Sequence, residues 1–166
     1  MKVMVKFYQG KIMSAEIILV SDNHSAEKPL DIVLRRHRRA DYFIHCGDSQ
    51  MPKYMLRSFI CVRGNNDFEP GFDREFILSV EEHRILILHG HLENTWRSND
   101  ILVYKAQKNR CDIVCFGHTH MYLDTIEEGI RLLNPGSLRH NRDGSRPGYM
   151  QIFLDPEKIL VNRMEL

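Results

Sequence analysis

Glu16-Ile17-Ile18-Leu19-Val20-Ser21-Asp22-Asn23-His24 is the stretch that decides the fold. Its apolar core, Ile17 to Val20, is short and rich in β-branched residues, which reads as a strand buried on both faces rather than as a helix. The run stops at Ser21-Asp22, so the strand delivers a carboxylate to its C-terminal end. Beyond it, Leu30, Val33, Leu34 and His37 recur at helical spacing with Pro29 near the first turn, predicting a helix over 28–39. Residues 42–46 and 59–62 repeat the short apolar run and stop at Gly47-Asp48 and Gly64-Asn65. Further strands are predicted at 84–88 and 112–116, on either side of a helix over 99–109 with Ser98 as N-cap and Ile101, Leu102, Lys105 and Ala106 following.

The final third changes character. Short strands are predicted at 121–126, 130–133, 148–154 and 158–164, separated by Glu128-Gly129, Asn134-Pro135-Gly136, Asp143-Gly144 and Asp155-Pro156, and are expected to be antiparallel. A βαβ-rich first part followed by a run of strands predicts an α/β fold, a four-layer sandwich of two packed mixed β-sheets flanked by helices. In open sheets of this kind ligands sit beyond the carboxyl ends of the strands, where the polar stops fall.

With 166 residues, 43% hydrophobic and 27% charged, the chain can bury one core, and it shows no linker or repeat that would divide it. A net charge of +1 gives no global reason to expect nucleic acid or an anionic membrane as partner, so affinity for an anion must come from a local site. Cys46, Cys61, Cys111 and Cys115 form no C-x-x-C pair. The apolar neighbours of Cys61 and Cys115 predict buried thiols, which fits a reducing compartment. Residues 1–13 carry Lys2, Lys6, Gln9 and Lys11, lack the unbroken apolar stretch of a signal peptide, and read as a leader or tag-like extension ahead of a domain over 14–166. A cytoplasmic location is the expectation.

Five short motifs follow five predicted strands: Asp22-x-His24, Gly47-Asp48, Gly64-Asn65-Asn66-Asp67, His89-Gly90-His91 and Gly117-His118-Thr119-His120. Residues two apart on an extended segment face the same side, so Asp22 and His24 can converge on one ion. Each motif alone is common in surface turns. Their joint occurrence in this order, each ending an apolar run, is the informative observation.

That order resembles the calcineurin-like metallophosphoesterases, particularly their small single-domain phosphodiesterase branch, and the resemblance runs from about residue 22 to Asn134-Pro135-Gly136-Ser137. It implies that Asp22, His24 and His120 bind one metal, that Asn65, His89 and His118 bind another, and that Asp48 bridges them. It also implies hydrolysis of a phosphate ester, a small molecule or nucleotide, by water activated between the two metals. Two dications less the carboxylates Asp22 and Asp48 leave a formal charge of about +2, which suits an anionic substrate. Imidazole and oxygen donors without thiolate point to transition metals, Mn²⁺ first with Zn, Ni, Fe or Co as alternatives, rather than Ca²⁺ or Mg²⁺.

The sequence departs from the broad family at Asn66, where His often stands and aids the leaving group. Asparagine can hydrogen-bond a phosphoryl oxygen but is no acid near neutral pH, so water or His91 would have to protonate the leaving group and activated aryl esters are favoured. His91 reads equally as a substrate contact and as a support for His89, and Asp67 as the residue that orients the Asn65-Asn66 turn. The cluster Arg35-Arg36-His37-Arg38-Arg39 fits a solvated helix C-terminus better than a phosphate site. His45 reads as a hydrogen-bonded core residue, Trp96 and Arg97 as a loop at the site mouth or plain surface, and His37, His83 and His140 show no partner pattern. Three other functions compete with the diesterase: a phosphomonoesterase on the same metals, a protein-binding scaffold like the retromer subunit of this fold, and, last, a mononuclear hydrolase acting on carbon, which leaves the seven ligands unexplained. Homo-oligomers are compatible with all of them.

Overall fold

The computed structural model describes residues 6–8, 11–13, 15–155 and 157–166. In chain order the elements are strands β1 (Lys6–Tyr8), β2 (Lys11–Met13) and β3 (Ala15–Val20), helix α1 (Glu27–Arg36), strand β4 (Tyr42–His45), a 3-10 turn over Lys53–Leu56, strands β5 (Ile60–Cys61), β6 (Glu75–Val80) and β7 (His83–Leu88), helix α2 (Asp100–Lys108), and strands β8 (Ile113–Cys115), β9 (Tyr122–Glu127), β10 (Ile130–Pro135), β11 (Gly148–Asp155) and β12 (Lys158–Glu165).

Two five-stranded sheets result, one ordered β12-β11-β3-β4-β5 and the other β6-β7-β8-β10-β9. Both are mixed: β3, β4 and β5 run parallel, as do β7, β8 and β10, while β11, β12, β6 and β9 pair antiparallel with their neighbours. The period of two in β3 assigns its residues to layers. Ile17 and Leu19 face inward and meet Ile44, Ile85, Ile87, Ile113, Leu133 and Ile152 between the sheets. Ile18 and Val20 face outward and pack under Leu30 and Val33 of α1. On the opposite side Leu86, Leu88, Val114 and Leu132 carry Leu102, Val103 and Ala106 of α2. The order helix, sheet, sheet, helix is the expected four-layer sandwich.

Several local expectations are corrected. Helix α1 ends at Arg36, short of residue 39, where His37 turns away so that its ring bonds the Tyr149 hydroxyl at 2.9 Å. Asn99 rather than Ser98 precedes α2 and makes no side-chain cap, its amide donating instead to Glu127 at 2.7 Å. Ile101 is exposed and Val103 takes its place in the core. The last four strands do not form one antiparallel unit: β10 lies parallel to β8 in the second sheet, and the β11–β12 hairpin crosses to the first. Cys61 is half-buried rather than buried, and all four thiols are free.

Strand β6 has no counterpart among the predicted strands. It is an edge, and its turn into β7 is built on Glu81, with φ 52°, and Glu82 instead of the Asn-Gly type that marks a hairpin. Within 1–13, β1 and β2 pair antiparallel as a separate two-stranded unit, and the remainder of that segment, like Pro156, lies outside the described residues. Among the described residues no helix is long and apolar enough to cross a membrane.

Candidate metal centre

Strands β3, β4, β5, β7 and β8 all open at one end of the sandwich, and the five polar motifs follow them there. After β3, β4 and β8 the chain leaves the strand by an abrupt turn: Asp22 (φ 54°), His24 (φ 44°), Asp48 (φ 54°), His118 (φ 68°) and His120 (φ 55°) all adopt the left-handed region without being glycine. Such conformations cost roughly 1–2 kcal/mol each for ordinary residues and persist where surrounding contacts impose them. The contacts here are specific. Ser137 Oγ donates to the Asp22 carbonyl at 2.8 Å, Arg139 donates to the His24 carbonyl at 2.9 Å, and Asn134 donates to the Gly117 carbonyl at 2.8 Å. The Asn134-Pro135-Gly136-Ser137 element thus braces the turns after β3 and β8 together.

Asp22, His24 and His120 bring ligand-type atoms within 4.8 Å of one another, and so do Asp22, Asp48 and His89, with Asp22 common to both groups. His24 Nε2 and His120 Nε2 face each other at 3.2 Å. His24 Nδ1 is turned to Gln50 Oε1 at 2.9 Å and His120 Nδ1 donates to the His140 carbonyl at 3.1 Å, so in the neutral rings both Nε2 atoms present lone pairs. Burial pushes the Asp22 carboxyl up, but the His120 imidazole beside it, the charges of His89 and His120 and the Ser21 hydroxyl together hold it below the ordinary carboxylate range.

His89 repeats the arrangement. Its Nδ1 donates to the Cys46 carbonyl at 2.7 Å, which turns Nε2 toward Asn65 Oδ1 at 3.1 Å and Asp48 Oδ2 at 3.5 Å. Burial opposes the His89 cation, yet the contact with Asp48 and the charges of Asp22 and Asp48 outweigh it and raise its pKa. A field that favours a proton there favours a metal cation too. His118 has its ring centre 5.2 Å from that of His89, and its Nε2 accepts the Trp96 indole N–H at 3.1 Å. Burial and the nearby His89 lower the His118 pKa to about 4.

The region of the chain over 15–156 matches the family model described as the calcineurin-like phosphoesterase superfamily domain. The chain belongs to that superfamily. A curated superfamily relative, named "Probable metallophosphoesterase YsnB" of Bacillus subtilis, is 32% identical over 87% of this chain and 88% of its own length. Among solved structures, a predicted phosphoesterase of Streptococcus pneumoniae superposes with a TM-score of 0.85 at 27% identity, covering 92% of both chains. Vacuolar Protein Sorting 29 of Cryptosporidium parvum superposes with a TM-score of 0.73 at 20% identity over 93% of this chain and 98% of its own, a likeness of fold.

Metallophosphoesterases work with divalent metals, and one atom tests whether this superfamily member has a place for them. Asp22 Oδ1 is buried and makes no hydrogen bond, lying 3.1 Å from His120 Nε2 and 3.8 Å from His24 Nε2, although Asp22 Oδ2 is satisfied by Ser21 at 2.6 Å and by the His118 amide at 3.1 Å. An orphaned carboxylate oxygen facing imidazole lone pairs is unfavourable unless a cation lies between them. The donor set fits divalent metal.

Asn66, Asp67 and His91 take different stations. The Asn66 amide N–H groups of backbone and side chain donate to Asp48 at 2.8 and 2.6 Å, so its side-chain nitrogen is committed to the carboxylate rather than free for a phosphoryl oxygen. Asp67 accepts from the Asp48, Gly64 and Gln50 amides at 2.8, 2.8 and 2.7 Å and clamps the turns after β4 and β5 to each other. His91 packs with its ring centre 5.4 Å from that of His89, and its buried Nδ1 has no hydrogen-bond partner. His45 is a core residue, accepting from Gly47 N–H at 3.1 Å and bonding Asn23 Oδ1 at 2.9 Å, with burial lowering its pKa to about 4.

Sequence reasoning left out Gln50, the Cys46 and His140 carbonyls, and a definite role for Trp96. The first three carry no signal, because backbone oxygens and a lone glutamine look the same everywhere. Trp96 had one: it is the chain's single tryptophan, and it sits a few residues beyond His89-Gly90-His91. His37 and His83, which show no pattern in sequence, are structural, His83 bridging Asp112 at 2.5 Å and the Asp155 carbonyl at 3.0 Å.

Proposed function

We propose that this chain is a binuclear metal-dependent phosphodiesterase. The reading rests on one observation above the rest, the buried and donor-free Asp22 Oδ1 shared by two groups of ligand-type atoms. Asp22, His24 and His120 would hold one ion, Asn65, His89 and His118 the other, and Asp48 would face both. Two such dications, Mn²⁺ in the first instance, would supply an acidified water and positive charge for the phosphoryl oxygens.

The protein's own contribution is to fix these donors. Cys46 and His140 carbonyls hold His89 and His120 in the tautomer that leaves Nε2 bare, and Asn66 keeps the Asp48 carboxylate from rotating. Asn66 has no acidic proton and is committed to Asp48, and His91 keeps its Nδ1 buried without a partner. Neither stands ready as an acid for the leaving group, which favours leaving groups that need no proton.

The test is to purify the protein with Mn²⁺, count bound metal per chain, and compare bis(p-nitrophenyl) phosphate with p-nitrophenyl phosphate. Two metals per chain and faster turnover of the diester are expected. Fewer than two metals together with no hydrolysis overturns the enzyme reading in favour of a scaffold of the same fold, and faster monoester turnover moves it to a phosphomonoesterase.

A further inference from the structure

Two arginines stand beside the His89–His91 side of the centre, and the fold places them together. The Arg63 amide donates to the Asp73 carbonyl at 2.8 Å, in a parallel bridge between Val62 and Asp73, so Arg63 and Arg74 emerge at adjacent positions. With Gly64, Asn65, His91 and Leu92 they line a cavity of about 230 Å³, and Arg74, His89 and His91 line an adjoining one of about 300 Å³. Among the described residues the Arg63 side chain commits only Nε, to the Asp67 carbonyl at 3.2 Å, and the Arg74 side chain has no hydrogen bond or ion pair. Lys105, the other cation on this rim, is already held by Glu75 at 2.6 Å and Glu93 at 2.8 Å. Between the arginines and the candidate ligands lies His91, whose Nδ1 is buried without a partner.

Two planar guanidiniums suit a phosphate, whose oxygens accept several charge-assisted bonds at once. We propose that this cavity holds the leaving group's phosphate, and that the substrate is a phosphoanhydride, a diphosphate linkage with its scissile phosphorus at the metal centre. The proposal rests on the phosphodiesterase reading and answers the question that reading leaves open. An alkoxide must be protonated as it departs, whereas a phosphate, with a second pKa of about 6, leaves as a stable anion and requires only charge neutralisation. Water's oxygen bonds to the scissile phosphorus, the bond from that phosphorus to the bridging oxygen breaks, and the electron pair stays on the departing phosphate. The water's protons end on the two phosphate products or in solvent, and no other co-reactant is consumed.

The experiment compares diadenosine 5′,5′-diphosphate with bis(p-nitrophenyl) phosphate on the Mn²⁺-loaded protein, in wild type, Arg63→Ala and Arg74→Ala. Wild type is expected to cleave both, and each variant to lower the ratio of kcat/KM for the diphosphate over that for the aryl diester at least tenfold. Hydrolysis of the aryl diester alone overturns the anhydride assignment and leaves the phosphodiesterase reading intact, whereas hydrolysis of neither overturns both. An equal loss on the two substrates makes the arginines structural and overturns the assignment. Calorimetric titration of metal-free protein with inorganic pyrophosphate supplies a second readout: a Kd at least fivefold weaker in each variant is expected, and an unchanged Kd, or no binding by wild type, overturns the subsite.

Discussion

Trp96 occupies the one lone pair that His118 would offer a metal, through an indole N–H bond of 3.1 Å, while Arg142 stacks on the indole face at 5.0 Å. A metal arriving at His118 must displace that bond. Since a neutral hydrogen bond contributes about 1 kcal/mol net, Trp96→Phe is expected to tighten the weaker metal site by about fivefold, read by metal titration. Asp48→Asn should lower occupancy of both sites together if Asp48 bridges the two ions as proposed, whereas His91→Ala should leave metal content at the wild-type level, as measured by metal analysis of the purified variants. His45 makes a pH prediction of definite sign. The unfolded chain binds a proton on this residue near pH 6.5 while the folded one resists until about 4, so acid favours unfolding across that window. The loss on reaching pH 4 is on the order of 3 kcal/mol, visible as a falling urea midpoint, and His45→Gln should flatten the curve between pH 6.5 and 4. Asp22 and Asp48, with pKa values held down in the fold, add a loss of their own that sets in as the pH falls through the ordinary value of 3.8, where the unfolded carboxylates protonate first.

At the level of elements, the strand ends are packed so closely that glycine is required where two turns cross. A Cβ on Gly117 would collide with the Ser21 hydroxyl and come within 2.7 Å of Asp22 Oδ2. Gly117→Ala is therefore expected to destabilise by roughly 1–3 kcal/mol and to displace Asp22, seen as a lower denaturation midpoint and loss of metal. The glycine pattern was legible in the sequence, and so was every strand that places a motif. Ile17 to Val20 and Ile85 to Leu88 are apolar throughout because both faces of their strands are covered. What could not be read depended on partners remote in the chain. β6 is an edge strand closed by an unusual Glu81-Glu82 turn, α1 stops early because His37 finds Tyr149, and β11 switches sheets, a choice that periodicity does not encode. For the site, residue types and order pointed to the groups that converge. The left-handed turns, the commitment of Asn66 to Asp48 and the carbonyls that set the imidazole tautomers emerged only in three dimensions.

The two five-stranded sheets divide the candidate ligands between them. Asp22 and Asp48 follow β3 and β4 of the first sheet, and His89, His118 and His120 follow β7 and β8 of the second. Metal bound across that seam would join the layers and stabilise the folded state by mass action, about 2.7 kcal/mol at a hundredfold excess over Kd. For a chain of this size the melting temperature should then fall by about 5–10 °C when a chelator strips the Mn²⁺-saturated protein, and a Tm indifferent to chelator would place no metal at the seam. The indole against His118 has one more consequence. Because Trp96 is the only tryptophan in the chain, all indole fluorescence comes from the mouth of this centre. Its emission colour and lifetime are set by the imidazole it touches and the guanidinium over its face, so an ion or phosphate entering the site should register as an optical signal from the unlabelled protein.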